Sequence, residues 1–219
     1  MSEMRTEEEQ VEALKTWWKD NGKSLLLGIA LALAVVFAWR GWQNNQQVTA
    51  ENASVVYQNL IQAVAVASAP NGTDDQRATA RHLASNLKEE YGSTAYAQFG
   101  ALLNARLAVD AGELDTALAE FDWVLAQSPD AVMQVIATMR KARVIAAQGD
   151  AQAAIALLEG LGAEHFTASV GELKGDLYLQ LGDTDKARAA YQFALDAVEQ
   201  KGTRPILAIK LNNLAIEGS

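Results

Sequence analysis

The chain has 219 residues, with 18 Lys and Arg against 27 Asp and Glu, no Cys and three Pro. A net charge of −9 argues against a nucleic-acid binder, which shows a basic patch or stripe. The absence of cysteine removes any disulfide framework or thiolate zinc site, while an apolar content of 50% is ample for a folded core.

Residues 24–39 read SLLLGIALALAVVFAW, free of charge and bracketed by Lys23 and Arg40. As a helix this run is about 24 Å long, short of a hydrocarbon core of about 30 Å. From Gly22 to Trp42 it reaches about 31 Å, provided that the Lys23 and Arg40 heads extend toward the two interfaces. Its Leu, Ile, Phe and Val side chains together favour insertion by about 3–5 kcal/mol. Trp17 and Trp18 on one side, and Trp39 and Trp42 on the other, stand where interfacial aromatic belts form, so these four anchor the helix with Lys23 and Arg40. A buried helix of a soluble protein can be as apolar, but basic residues and paired Trp at both ends are unusual for one. Signal-peptide cleavage after Ala38 would cut inside the apolar run. An interfacial amphipathic helix requires a polar face that this run lacks.

The expectation is therefore an uncleaved signal anchor over 24–42, preceded by a tail (1–23) and followed by a stalk or helix continuation (43–52). Arg5, Lys15, Lys19 and Lys23 precede the span, whereas Arg40 is the last basic residue before Arg77. The positive-inside rule then puts the N-terminus in the cytoplasm and residues 53–219 outside, in the periplasm of a bacterium. Within the span Ala30, Ala34 and Ala38 recur every four residues, and Gly28 with Ala32 forms a second small pair, a face against which another helix could pack.

Beyond Arg40 the chain reads as all-α, with no sustained two-residue alternation. Val55, Val56, Leu60, Ile61 and Val64 lie at helical spacing; Pro70-Asn71-Gly72 is a turn; Asp74 or Asp75 is expected to cap a helix ending near Tyr91-Gly92. A repeat then becomes visible. Gly112, Gly149 and Gly182 are each followed by an acidic residue, by Ala117, Ala154 and Ala187 at one fixed offset, and by Phe121, Leu158 and Tyr191 at another. A small residue precedes each glycine at matching distance: Ala105, Ala142 and Gly175. Glycine permits the left-handed end of a first helix, the acidic residue can cap the second, and small residues allow close crossing. The large residue fills the space between units.

This pattern resembles the tetratricopeptide repeat, a helical hairpin. Three repeats are expected at about 98–131, 135–167 and 168–201, with a degenerate pair at 53–91 and a closing helix at 205–216. Four additional residues are expected in the joint from Ser128 to Met133. The fold class is thus an N-terminal transmembrane helix followed by a tetratricopeptide-like solenoid.

Over nearly its whole length, and above all in EEEQVEALKTWWKDNGKSLLLG and the terminal KLNNLAI, the chain is similar to the YfgM family. Members of that family are ancillary subunits of the SecYEG translocon. The resemblance implies a single-pass inner-membrane protein whose partners are SecYEG and a PpiD-like membrane-anchored periplasmic chaperone, with exported polypeptides as a further candidate. An adaptor holding partners together is the function it implies. Two other classes stay open: a regulator acting through the acidic N-terminal tail, and an envelope assembly scaffold.

No cofactor or metal is expected, nor an enzyme, since neither a phosphate loop nor a metal-spaced His pair is present. His82 reads as a polar-face residue and His165 as a turn or packing residue. Binding is expected on the first helices of the repeats, at Phe99, Leu102, Arg106, Met139, Arg143, Glu172, Asp176 and Leu179, with packing between helices as the competing role for the apolar members.

Overall fold

The computed structural model describes residues 7–161, 166–198 and 204–217, and these form helices without a strand. In chain order they are α1 (Glu7–Ala67), α2 (Asp74–Tyr91), α3 (Ala95–Asp110), α4 (Leu114–Ala126), α5 (Ala131–Ala147), α6 (Ala151–Glu159), α7 (Thr167–Gln180), α8 (Thr184–Asp196) and α9 (Pro205–Glu217). Two compact units divide the chain, one ending at Glu51 and the other beginning at Asn52.

The first unit is helical from Glu7 on, because leucine- and alanine-rich sequence favours the helix and no proline interrupts it. Residues 40–52 are helical throughout. The apolar side chains of this unit point outward with nothing over them: Leu27 is 67% exposed and Phe37 68%. Neighbouring turns cover only their own surface. The Trp18 ring lies over Gly22, where an added Cβ would come within 3.2 Å of it, and the Trp39 and Trp42 rings stack at 5.2 Å.

In the second unit each helical hairpin borrows the first helix of the next to complete its core. Leu60, Val64 and Ala67 pack with Ala80, Ala84 and Leu87 of α2 and with Ala97 and Leu107 of α3. Phe121 of α4 joins α3 (Ala101, Ala105) to α5 (Met133, Ala137). Ile155 and Leu158 of α6 join α5 to Val170, Leu173 and Leu177 of α7. Tyr191 and Ala194 of α8 are closed over by Leu207 and Leu214 of α9. Burying a Leu or Ile side chain in this way contributes about 1.5–3 kcal/mol, and no hairpin could bury its own apolar faces alone.

The three repeat glycines take the left-handed conformation that ends α3, α5 and α7, at φ +75°, +99° and +76°. Asp150 and Asp183 cap the following helices through the amide N–H groups of Ala153 and Lys186, but Glu113 makes no such bond. The α2 cap also differs from expectation. Thr73, not Asp74 or Asp75, accepts from the Gln76 amide, and the Gln76 side chain accepts from the Thr73 N–H in a capping box; the two aspartates sit in the first turn.

The expected four-residue lengthening of the joint near Ser128 is a second point of difference. Only four residues (127–130) separate α4 from α5, against seven (160–166) between α6 and α7, a difference offset by α5 having 17 residues where α7 has 14, so that joint is not lengthened. The unequal repeat spacing comes from α6, which has 9 residues where α4 has 13, because Gly160 stops it early.

Candidate functional site

An apolar groove of about 310 Å³ lies between α3 and α5 of the repeat unit. Its floor is Leu102, Phe121 and Val144, three side chains already held by the α3–α4–α5 core. Leu103 and Val109 form one wall, and Arg106, Arg140 and Arg143 stand around it. All three arginines are exposed, while Leu102 keeps only 7% of its surface. Helical spacing explains the cluster. Arg140 and Arg143 lie three apart on α5, and Arg106 lies four residues after Leu102 and three after Leu103 on α3, so each arginine shares a face with its partners.

The structure gathers Leu102, Arg106 and Arg143 in this groove but disperses the other anticipated binding residues. Phe99 joins an aromatic group with Tyr57, whose ring lies 5.9 Å from Phe99 and 5.6 Å from Tyr96. Burial, and secondarily the Tyr96 charge, pushes the Tyr57 phenol above its usual range. Met139 is 6% exposed and belongs to the α5–α6–α7 interior. Leu179 is partly exposed on α7, outside the groove lining. Glu172 and Asp176 are held from α9: Lys210 Nζ donates to Glu172 Oε1 at 2.9 Å and to Asp176 Oδ1 at 2.7 Å, and Arg204 donates to Glu172 at 3.2 Å. His82 is exposed on α2, and His165 lies outside the described residues.

Sequence reasoning passed over Arg140, although its place three residues before Arg143 was a legible signal. It also missed the clamp that holds the first hairpin to the second. Lys88 of α2 donates to both carboxylate oxygens of Glu120 at 2.8 Å, Asn104 donates to the same group at 3.0 Å, and the ammonium lies 5.2 Å over the Trp123 ring. No local pattern announces a pairing between residues so far apart.

Electrostatics at the last hairpin follow from the same α9 contacts. Burial pulls the Lys210 ammonium downward, but its hydrogen bonds to Asp176 and Glu172, reinforced by their charges, outweigh that and hold it above its usual value. Burial, then the bond to Asp176 (2.6 Å), raises the Tyr191 phenol strongly.

In the first unit Trp17, Trp18 and Lys23 precede, and Trp39, Arg40 and Trp42 end, an apolar run in which Gly28, Ala30, Ala32, Ala34 and Ala38 all lie exposed. Among the described residues one helix is long and apolar enough to cross a membrane. Only 6% of its most apolar stretch is buried, unlike the core helix of a soluble protein.

Hairpins that share their cores with their neighbours, a closing helix at one end, and a long uncovered apolar helix near the N-terminus define a tetratricopeptide-like repeat protein with an N-terminal apolar helix. The tetratricopeptide repeat-like domain family matches residues 15–216, a stretch that includes the apolar run. The chain is 31% identical to the ancillary SecYEG translocon subunit of Escherichia coli (strain K12), with 96% of this chain and 97% of that one covered. To the Haemophilus influenzae protein of the same name it is 30% identical, with 95% and 97% covered. MamA (residue 41 to its end) from Desulfovibrio magneticus RS-1 has a similar solved structure, with TM-score 0.52 at 16% identity, covering 78% of this chain and 91% of that one. That likeness is one of fold. The chain belongs to the family of ancillary SecYEG translocon subunits.

Proposed function

We propose that the protein is a single-pass inner-membrane adaptor at the SecYEG translocon, with its repeat unit in the periplasm. The observation that carries this reading is the uncovered apolar run between two Trp pairs. In water, its half-exposed Leu, Ile, Val and Phe side chains would expose a continuous apolar surface that a bilayer removes. The basic residues Lys15, Lys19 and Lys23 before the span, against Arg40 alone after it, favour a cytoplasmic N-terminus. The family's relatives carry the name of the translocon itself, which supports SecYEG as the partner.

In this reading the groove between α3 and α5 receives polypeptide, and a PpiD-like chaperone or an exported chain is the occupant passed along. Anchoring at the translocon raises the local concentration of partners, so that weak contacts suffice. Action is by holding rather than by chemistry. Gly28, Ala30, Ala32, Ala34 and Ala38 give the membrane helix a small-residue face for a neighbouring helix.

The experiment is site-specific photo-crosslinking in intact cells from Leu103 and Val109 of the full-length chain, with alkaline carbonate extraction and protease treatment of spheroplasts. Expected are retention in the carbonate pellet, loss of the repeat unit to external protease, and adducts with translocon subunits and a periplasmic chaperone. Release into the carbonate supernatant, or a repeat unit digested only in inverted vesicles, refutes the topology. Adducts confined to unrelated envelope proteins refute the translocon reading.

A further inference from the structure

The charges around the α3–α5 groove differ from those elsewhere in the repeat unit. The unit is cut from a chain of net charge −9, and its cations are mostly neutralised internally. Arg81 pairs with Glu113, Lys88 with Glu120, Lys141 with Asp122, and Lys210 with Glu172 and Asp176. At the groove this pattern stops. Among the described residues Arg140 and Arg143 have no ion pair and no side-chain hydrogen bond, and Arg106 has only Asp110, one turn away at 3.7 Å. Three guanidinium groups therefore surround one apolar concavity with little intrachain carboxylate to balance them.

Resting on the adaptor reading, we infer that this groove selects polypeptide segments that carry carboxylates beside apolar side chains. Leu102, Leu103, Val109 and Val144 receive the apolar side chains, and Arg106, Arg140 and Arg143 receive the carboxylates. Arginine suits this task because its planar fork meets a carboxylate with two parallel hydrogen bonds and stays charged at any physiological pH. The neighbouring apolar walls lower the local polarizability, so such a pair is stronger there than on open surface. A purely apolar segment would fill the floor while covering guanidinium groups without a partner, which costs desolvation without return. Neutral and basic segments are disfavoured accordingly.

The test uses the full-length chain in nonionic micelles and two labelled helical peptides of one Leu/Ala pattern, one bearing Asp and Glu, its twin bearing Asn and Gln. Anisotropy titration is expected to show the acidic peptide binding about tenfold or more tightly than its twin, with affinity falling as salt rises. R140Q/R143Q should erase that difference, and its thermal melt should match that of the unaltered protein because both side chains are exposed. Equal binding of the two peptides, or an acidic preference that survives R140Q/R143Q, overturns the inference while leaving the adaptor reading intact. Failure of both peptides to bind, together with no crosslinks from Leu103 and Val109, removes the groove from the adaptor reading as well. A concentration-dependent dimer in sedimentation that R140Q/R143Q dissociates assigns the arginines to a second copy and overturns capture of a foreign segment.

Discussion

Gly175→Ala isolates the close approach on which the last repeat is built. An added Cβ at Gly175 would stand 2.3 Å from Tyr191 Cε1 and 2.4 Å from Cδ1, and one at the neighbouring Gly171 would stand 3.0 Å from Ala194 Cβ. Both glycines thus face α8, and the two helices cross with almost no side chain between them. Tyr191 has no room to yield: it is fully buried, its hydroxyl donates to Asp176 at 2.6 Å, and Lys210 of α9 lies 5.7 Å from its ring. Replacing glycine by alanine inside a helix gains about 0.5–1 kcal/mol, whereas overpacking a rigid core costs about 1–3 kcal/mol. The expected net loss is about 1–2 kcal/mol, a fall of roughly 2–8 °C in Tm for a chain of this size. The second repeat supplies an internal control, for there Ala142 stands with Leu158 at the matching positions, both buried. In a Tyr191→Leu background, Gly175→Ala should therefore change sign and stabilise by about 0.5–1 kcal/mol. Urea unfolding of the full chain in micelles, followed by circular dichroism, measures all four members of the cycle. An equal loss in both backgrounds would show that the ring contact is not the source.

Glu120→Gln should cost about 1–3 kcal/mol, because it leaves the largely covered Lys88 ammonium without its counter-ion; Lys88→Met with Glu120→Leu should recover most of that in the same urea assay. Strictly additive losses in the double variant would refute the coupling. Stability should also fall as the pH is raised. The native state holds the Tyr191 and Lys210 protons above their ordinary values of 10.0 and 10.5. The unfolded chain therefore releases those protons first; the contribution is complete below about pH 10 and is lost as pH climbs through the native values. Urea midpoints from about pH 9 to about pH 11.5 check this, and Tyr191→Phe should flatten the slope; an unchanged slope in that variant would contradict the assignment. The buried positions of Leu102 and Met139 add a last expectation: Leu102→Asp with Met139→Asp should unfold the repeats, by more than about 3 kcal/mol, instead of sparing helical content while removing capture. A native-like melt would refute this.

Local chemistry was enough to read several features from residue order. The apolar run between Trp pairs needs no partner to be recognised, because hydropathy and length act within one segment. The repeat glycines, the small residues at 105, 142 and 175, and the large ones at 121, 158 and 191 recur in register, because every hairpin solves the same packing problem. Even the Thr73–Gln76 capping box and the Arg140–Arg143 face were written in helical spacing, although they escaped notice. What only the tertiary structure decided is which residues of one face remain open. Leu102 and Met139 occupy equivalent places in successive repeats and are about equally buried, at 7% and 6% exposure, yet only the first lies beneath the groove, because what stands over a buried residue depends on the neighbouring helix. Asp176 is engaged by Lys210 and Tyr191 for the same reason, as is Glu120 by Lys88. Pairings across such separations depend on how helices stack, and the periodicity of any single helix carries no record of that.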